Sequence, residues 1–389
     1  MTDLETMLKN EEHLQKSVEY LASLVTQVRT KYPDASDIQF VGGDQMWVHE
    51  NGEEKRTGIE MKDAYLLMWA EALVKNRGGA EEIMTGAKGT LEAARDIAGI
   101  RLRMTWRRQY GSNGIIALNT RILPAEPPSI DSPRFQTVPI PRAIMEMILN
   151  NRDGLVLVEG PTGSGKSTLL AALIDLVNRT QARHIYTVED PIEFVHESKK
   201  SLVTLREVHT HVSSFHQGLM TSRRSKPGII LLGELRDLET KRAAMDAALE
   251  GHLVLATSHA SAVPEAIQSF VGAFPSDEQN AISQSLSTAL RGIIVQQLIP
   301  ATNGKVVPVR EMVTVTPQVQ ERLAERQTGK DLRQLLMSSE MRALEGTFSR
   351  DDSLFELYEK GLITRETALT RAIAMTDLRA RLDTVEEEE

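Results

Sequence analysis

The sequence predicts an α/β protein of more than one domain. A phosphate-loop domain with a mostly parallel sheet follows a small α+β domain and precedes a helical C-terminal segment. The first observation behind this is Gly160-Pro161-Thr162-Gly163-Ser164-Gly165-Lys166-Ser167, a complete GxxxxGK[ST] run that follows the apolar residues 155–158 and opens a helical pattern from Thr168. The second is that apolar, strand-like runs recur at 184–188, 228–232 and 252–257 with helical patterns between them, the alternation of a parallel sheet covered on both faces. The third is length. A chain of 389 residues exceeds one compact core, and six prolines between 124 and 141 mark where it divides. The expected domains are 1–125 (α+β), 126–141 (proline-rich linker), 142–316 (phosphate-loop domain) and 317–389 (helical).

In the first domain, Leu14, Val18, Leu21, Val25 and Val28 recur at four- and three-residue steps, which predicts an amphipathic helix ending near Tyr32-Pro33. Such a stripe serves a domain's own core more often than a partner. Strand signals at 37–41 and 45–49 are joined by Gly42-Gly43 and followed by Asn51-Gly52, a hairpin signal. Residues 61–75 read as a helix, and 100–106 and 114–122 as two further strands. A helix over 142–150 leads into the phosphate-loop strand. Beyond Pro317 the chain turns helical and charged, with Glu386 to Glu389 expected as a solvated tail.

Chemistry is expected at the carboxyl ends of the parallel strands, where open α/β sheets bind ligands. The glycines of the loop let backbone N–H groups surround a polyphosphate, Lys166 reaches the outer phosphates, and the Ser167 hydroxyl ligates magnesium. The helix N-terminus adds its positive dipole end. After the second strand, Glu189-Asp190-Pro191-Ile192-Glu193 supplies carboxylates that can hold magnesium-bound water. After the third, Glu234 follows the apolar strand directly and is placed to align or deprotonate an attacking water. The competing readings are an ion pair of Glu234 with Arg236 and a helix N-cap by Asp237.

His252 and His259 bracket the fourth strand, and seven extended residues span about 23 Å. Only His259 then lies on the phosphate side, as a donor to the γ-phosphate, and His252 is structural. His209, His211 and His216 lie close in sequence but lack the pattern of a metal site and read as loop residues.

Composition sets limits. Hydrophobic residues are 41% and charged ones 25%, the usage of a globular protein, and no apolar run approaches the roughly 20 residues of a membrane span. The acidic, amphipathic N-terminus is unlike a secretory signal, so the expected address is the cytoplasm. The absence of cysteine excludes disulfides and thiolate zinc sites. A net charge of −9 argues against wholesale binding to nucleic-acid phosphates.

With these pieces in view the chain resembles the type II/type IV secretion and pilus traffic ATPases. The resemblance rests on GLVLVEGPTGSGKST (154–168), TVEDPIEFVH (187–196), REVH (206–209), GIILLGELRDLET (228–240), EGHLVLATSHA (250–260), FPSDEQ (274–279) and GLITRETAL (361–369), in family order. It is closest over 154–299 and weaker before that. LPAEPPSI (123–130) resembles the branch that serves type IVB secretion and plasmid conjugation.

The resemblance implies a RecA-like motor domain behind a PAS-like N-terminal domain. It also implies a homo-hexameric ring using ATP and Mg²⁺ and the linker as hinge. The partners implied are inner-membrane secretion or pilus platform proteins, so membrane association is indirect. To the residues already read for the nucleotide, Gly160 to Thr168, and for catalysis, Glu234, Glu189, Glu193 and His259, it adds Arg103 and Arg121, which resemble the family's arginines that approach nucleotide, in cis or in trans. The metal falls to Ser167, with Glu189 and Glu234 acting through water.

Met220, Lys226, Gly228, Ser258 and Ala260 depart from the usual pattern, and 319–326 matches a retraction-motor helix poorly. From the sequence, secretion or conjugation is therefore favoured over pilus retraction. Two rivals stand beside the motor. One is a RecA-like ATPase on nucleic acid, which needs a basic groove and stacking aromatics. Aromatics are 4%, and one local patch of Arg101, Arg103, Arg107, Arg108 and Trp106 is all that suggests it. The other is a non-hydrolysing switch or scaffold, against which Lys166, Ser167 and Glu234 stand.

Overall fold

The structure, a computed structural model, describes residues 2–50, 53–74, 78–85, 89–109, 116–124, 126–325 and 346–388. The chain divides into two compact units, residues 1–126 with 191–195, and residues 127–190 with 196–389.

The first unit holds α1 (Thr2–Lys9), α2 (Glu11–Lys31), β1 (Ala35–Val41), β2 (Gln45–Glu50), β3 (Glu53–Glu60), α3 (Asp63–Leu73), α4 (Gly79–Thr85), β4 (Thr90–Ile97), β5 (Ile100–Arg108) and β6 (Ile116–Ile122). Its strands form one sheet in the order β3-β2-β1-β6-β5-β4, antiparallel at every pairing. The α2 stripe buries Leu21, Leu24, Val25 and Val28 in a core shared with Leu66 and Trp69 of α3 and with Phe40, Met104 and Trp106 of the sheet. Both tryptophans are fully buried because each indole N–H finds a carbonyl, Trp69 at Ser17 (2.7 Å) and Trp106 at Leu66 (3.0 Å).

Four elements here were not read from the sequence: α1, β3, α4 and β4. The β4 residues TLEAARDI favour a helix by propensity. Pairing with β5 from Thr90↔Arg107 to Ile97↔Ile100 overrides that, closed by a two-residue turn at Ala98 and Gly99 with φ of 53° and 73°. β3 carries charged residues on an edge, where they blunt further pairing. Asn51-Gly52, Lys75 and Gly114 lie outside the described residues, although β2 and β3 pair up to Glu50↔Glu53.

The second unit opens with the proline-rich stretch, whose Phe135 and Ile140 are buried in the same core as α5 (Arg142–Asn150). Next come β7 (Gly154–Glu159), α6 (Lys166–Thr180), β8 (His184–Glu189), β9 (Leu202–Glu207), α7 (Phe215–Ser222), β10 (Ile229–Leu232), α8 (Leu238–Leu249) and β11 (Leu253–Thr257). They are followed by α9 (Val263–Gly272), α10 (Gln279–Ala289), β12 (Leu290–Pro300), β13 (Val306–Thr314) and α11 (Pro317–Ala324).

The sheet order is β13-β12-β7-β11-β10-β8-β9, parallel throughout except for the antiparallel β12–β13 pair. Every residue of β7, β10 and β11 is buried, which is why those strands read as unbroken apolar runs. β9, β12 and β13 were not read from the sequence. The exposed and half-buried residues of edge strand β9 account for its silence. The C-terminal helices α12 (Arg350–Glu359), α13 (Arg365–Arg371) and α14 (Met375–Glu388) bury Leu354, Leu357, Leu378 and Leu382 against Ile299, Val307 and Val309 of the β12–β13 pair.

Candidate active site

The site is assembled where β7, β11, β10 and β8 end side by side. Val158 lies opposite Thr257, Leu232 opposite Ala256, and Leu232 also opposite Val188. The residues that follow these strand ends therefore share one edge of the sheet.

From β7 the chain turns at Gly160 (φ 142°) and enters α6 through Gly165, which is left-handed at φ 81°. A Cβ on Gly160 would meet the Gln296 carbonyl oxygen at 2.1 Å, so the loop can lie against β12 only with glycine there. Gln296 also donates to the Ser164 carbonyl at 2.7 Å, and Arg310 holds Gln296 at 2.8 Å while donating to the Pro139 carbonyl at 3.0 Å. Burial pulls the Arg310 guanidinium down to about 10. Lys166 donates to the carbonyls of Gly160 (2.6 Å) and Pro161 (3.0 Å). Pro161, Thr162, Gly163 and Ser167 are exposed, and Thr168 accepts from Arg134 at 3.5 Å.

Across the edge, Glu234 accepts from Arg236 at 2.7 Å and bonds His259 Nε2 at 2.8 Å. Arg236 also reaches Asp190 at 3.1 Å and lies over the Phe215 ring. Burial alone would raise the Glu234 carboxyl, but its bonds to Arg236 and His259 outweigh that and hold it below the usual carboxylate value. The ion pair of Glu234 with Arg236, the competing reading, is therefore present. Asp237 is the N-cap of α8, accepting from Thr240 N–H at 2.7 Å.

Of the expected site residues, the structure brings together the loop Gly160 to Thr168, Glu189 at the end of β8, Glu234 and His259. Glu193 groups with the first unit, as do Arg103 and Arg121. The two arginines face each other across β5 and β6, Arg103 beside Glu92 (3.5 Å) and Arg121 beside Asp37 (3.0 Å). His252 lies at the opposite end of β11, bonded to the Pro227 carbonyl at 2.7 Å. His211 accepts from Glu207 N–H, His216 bonds the Glu239 carbonyl, and no cluster of His, Asp and Glu suited to a metal occurs among the described residues. Sequence reasoning missed Gln296, and it had Asp190 only as one of a run of carboxylates rather than as a partner of Arg236. The signal for Arg236 was present, since it was weighed as Glu234's partner.

The loop fits a polyphosphate. The Ser164 hydroxyl is 3% exposed and without a hydrogen-bond partner among the described residues, and Lys166 stands at the N-terminus of α6. A magnesium ion fits the same edge, since that ion takes one or two protein oxygens with phosphates and water rather than an all-protein cage. Ser167 at the start of α6, Glu189 at the end of β8 and Glu234 after β10 carry side-chain oxygens on that edge.

The sequence model of a family described as Type II/IV secretion system protein matches residues 112–358. The type IV pilus retractation ATPase PilT of Pseudomonas aeruginosa is 34% identical over 344 residues, 87% of this chain and 94% of that protein. A twitching motility protein of Neisseria gonorrhoeae is 40% identical over 231 residues, 59% of this chain and 61% of that one. Among solved structures, the pilus retraction motor PilT with bound ADP superposes with a TM-score of 0.79 at 30% identity, covering 92% of this chain and 98% of the other. The Legionella pneumophila ATPase DotB does so with a TM-score of 0.69 at 26% identity, covering 92% and 93%.

Proposed function

The chain belongs to the Type II/IV secretion system protein family as an ATPase, and from that membership we propose that it is the hexameric motor of a pilus machine, working in retraction. The sequence alone weighed secretion or conjugation above retraction. Support for retraction comes from the relative that matches over 87% of this chain, a pilus retraction ATPase. Two of the departures that pointed elsewhere, Met220 and Lys226, sit away from the chemistry, whereas Ser258 and Ala260 flank His259 within it. Met220 is 42% exposed on α7, and Lys226 is exposed in a turn with φ 46°.

The observation that carries the mechanism is the Glu234–His259 bond on the sheet edge that also bears the phosphate loop. Bound Mg²⁺ would supply charge neutralisation to the phosphates, held by Ser167 directly and by Glu189 and Glu234 through water. Lys166 exchanges its bonds to the Gly160 and Pro161 carbonyls for the outer phosphates. Glu234 is ionised and keeps lone pairs beyond those used by Arg236 and His259, so it orients the attacking water and accepts its proton. His259 donates its Nε2–H to the carboxylate and fixes it in place. Arg103 and Arg121 are the candidates for charge at a phosphate, in cis or in trans.

No helix among the described residues is long and apolar enough to cross a membrane. In the proposed role, attachment to an inner-membrane platform is through partner proteins. Deleting the gene in a piliated host separates the readings. A retraction motor leaves cells with accumulated pili that pull no force. Loss of pili would assign assembly instead, and normal pili with retained export substrates would assign secretion.

A further inference from the structure

Strand β7 reads GLVLVE and is buried along its whole length, yet its last residue is a glutamate that is 2% exposed. A buried carboxylate is costly unless something is made of it. Here its Oε2 accepts the Ala260 N–H at 2.9 Å, across 101 residues of sequence. One residue earlier on β7 and two residues earlier on the segment after β11, the Ser258 N–H donates to the Val158 carbonyl at 3.2 Å. His259 lies between these two bonds, so the last two residues of β7 pin its backbone on both sides.

The carboxylate is needed for a reason of geometry. The β7–β11 ladder runs to Val158↔Thr257, and Gly160 then turns away at φ 142° to begin the phosphate loop. No backbone carbonyl of β7 remains to receive Ala260, and the Glu159 side chain takes its place. The far side of the same segment is held by the Ser261 N–H on Glu265 at 2.7 Å and the Val263 N–H on Glu311 at 3.3 Å.

We propose that Glu159 is a positioning residue for hydrolysis, holding the segment 258–261 against the phosphate loop so that His259 meets Glu234. This rests on the assignment of His259 and Glu234 above. It ties the group that contacts the base to the strand that delivers the phosphate loop, so the two halves of the site move as one. Burial raises the Glu159 carboxyl above its usual value, against the Ala260 N–H and the charges of Lys166, His259 and Lys241, as expected of a group placed for its hydrogen bond rather than for a salt bridge.

The test is a double-mutant cycle on the full-length enzyme, with steady-state ATP turnover and ADP affinity as readouts. Glu159→Met fills a similar volume but offers no oxygen to Ala260, and displacement of His259 should lower kcat by roughly 10- to 100-fold, with ADP affinity within about 3-fold. Glu159→Gln keeps an acceptor oxygen and should rescue most of that loss. In a His259→Ala background, Glu159→Met should cost nothing further. Losses that multiply in the double variant, or equal loss in the Gln and Met variants, would overturn the proposal. Normal turnover in His259→Ala alone would instead sink the assignment of His259, and the two failures are thereby told apart.

Discussion

At the scale of single residues, the site turns on how Glu234 is held. Its bond to His259 and its ion pair with Arg236 keep the carboxyl charged, and Arg236 shares that charge with Asp190. A carboxyl held below its usual value in this way is ionised at neutral pH. Glu234→Gln keeps the size but removes the charge, so we expect turnover to fall on the order of 10²- to 10⁴-fold while ATP and ADP still bind. Single-turnover hydrolysis beside equilibrium nucleotide binding reads both. Near-normal hydrolysis would move the role to Glu189, and lost binding would make Glu234 structural.

At the scale of elements, the C-terminal helices show how short signals set boundaries. Helix α12 begins with a capping box, the Ser349 hydroxyl accepting from Asp352 N–H at 3.2 Å and the Asp352 carboxylate accepting from Ser349 N–H at 3.0 Å. Burial pushes the Asp352 carboxyl up, but the bonds from Ser349 and Arg381 outweigh it and leave it below its usual value. A lowered folded value means that the stabilisation is fully present above the ordinary aspartate pKa and is lost as pH falls through the lowered one. Asp352→Ala should therefore cost about 1 kcal/mol at pH 7. The gap from wild type should narrow below about pH 4, the ordinary aspartate value, and denaturant melts at both pH values check it. The cap was available to a reader of the sequence, but β4 was not. TLEAARDI is a strand only because β5 lies beside it, and pairing is a tertiary fact.

At the scale of the whole molecule, the proposed ring makes a prediction that one subunit alone cannot. Arg103 and Arg121 belong to the first unit, and Lys166, Glu234 and His259 to the second. If an arginine of one subunit serves the phosphate loop of the next, Arg103→Ala and Lys166→Ala subunits are each inactive alone. Mixed rings would then contain interfaces with both groups intact. Turnover should return on mixing, in proportion to such interfaces. Silence in rings shown by native mass spectrometry to be mixed would place the arginine in its own subunit's site.

The sequence by itself determined the phosphate loop, the buried parallel strands β7, β8, β10 and β11 and the residues at their ends, because each depends on local order. Glycines at fixed spacing, an apolar run too buried to alternate, and a polar residue directly after it are all readable within about ten positions. It also carried the family in motif order. Only the tertiary structure decided which ends touch. The Glu234–His259 bond, Gln296 beneath the loop and the Glu159–Ala260 bond join residues 25, 132 and 101 positions apart. The order β12-β7-β11-β10-β8 sets those neighbours, and order in a parallel sheet follows from how the crossovers pack rather than from any stretch of residues.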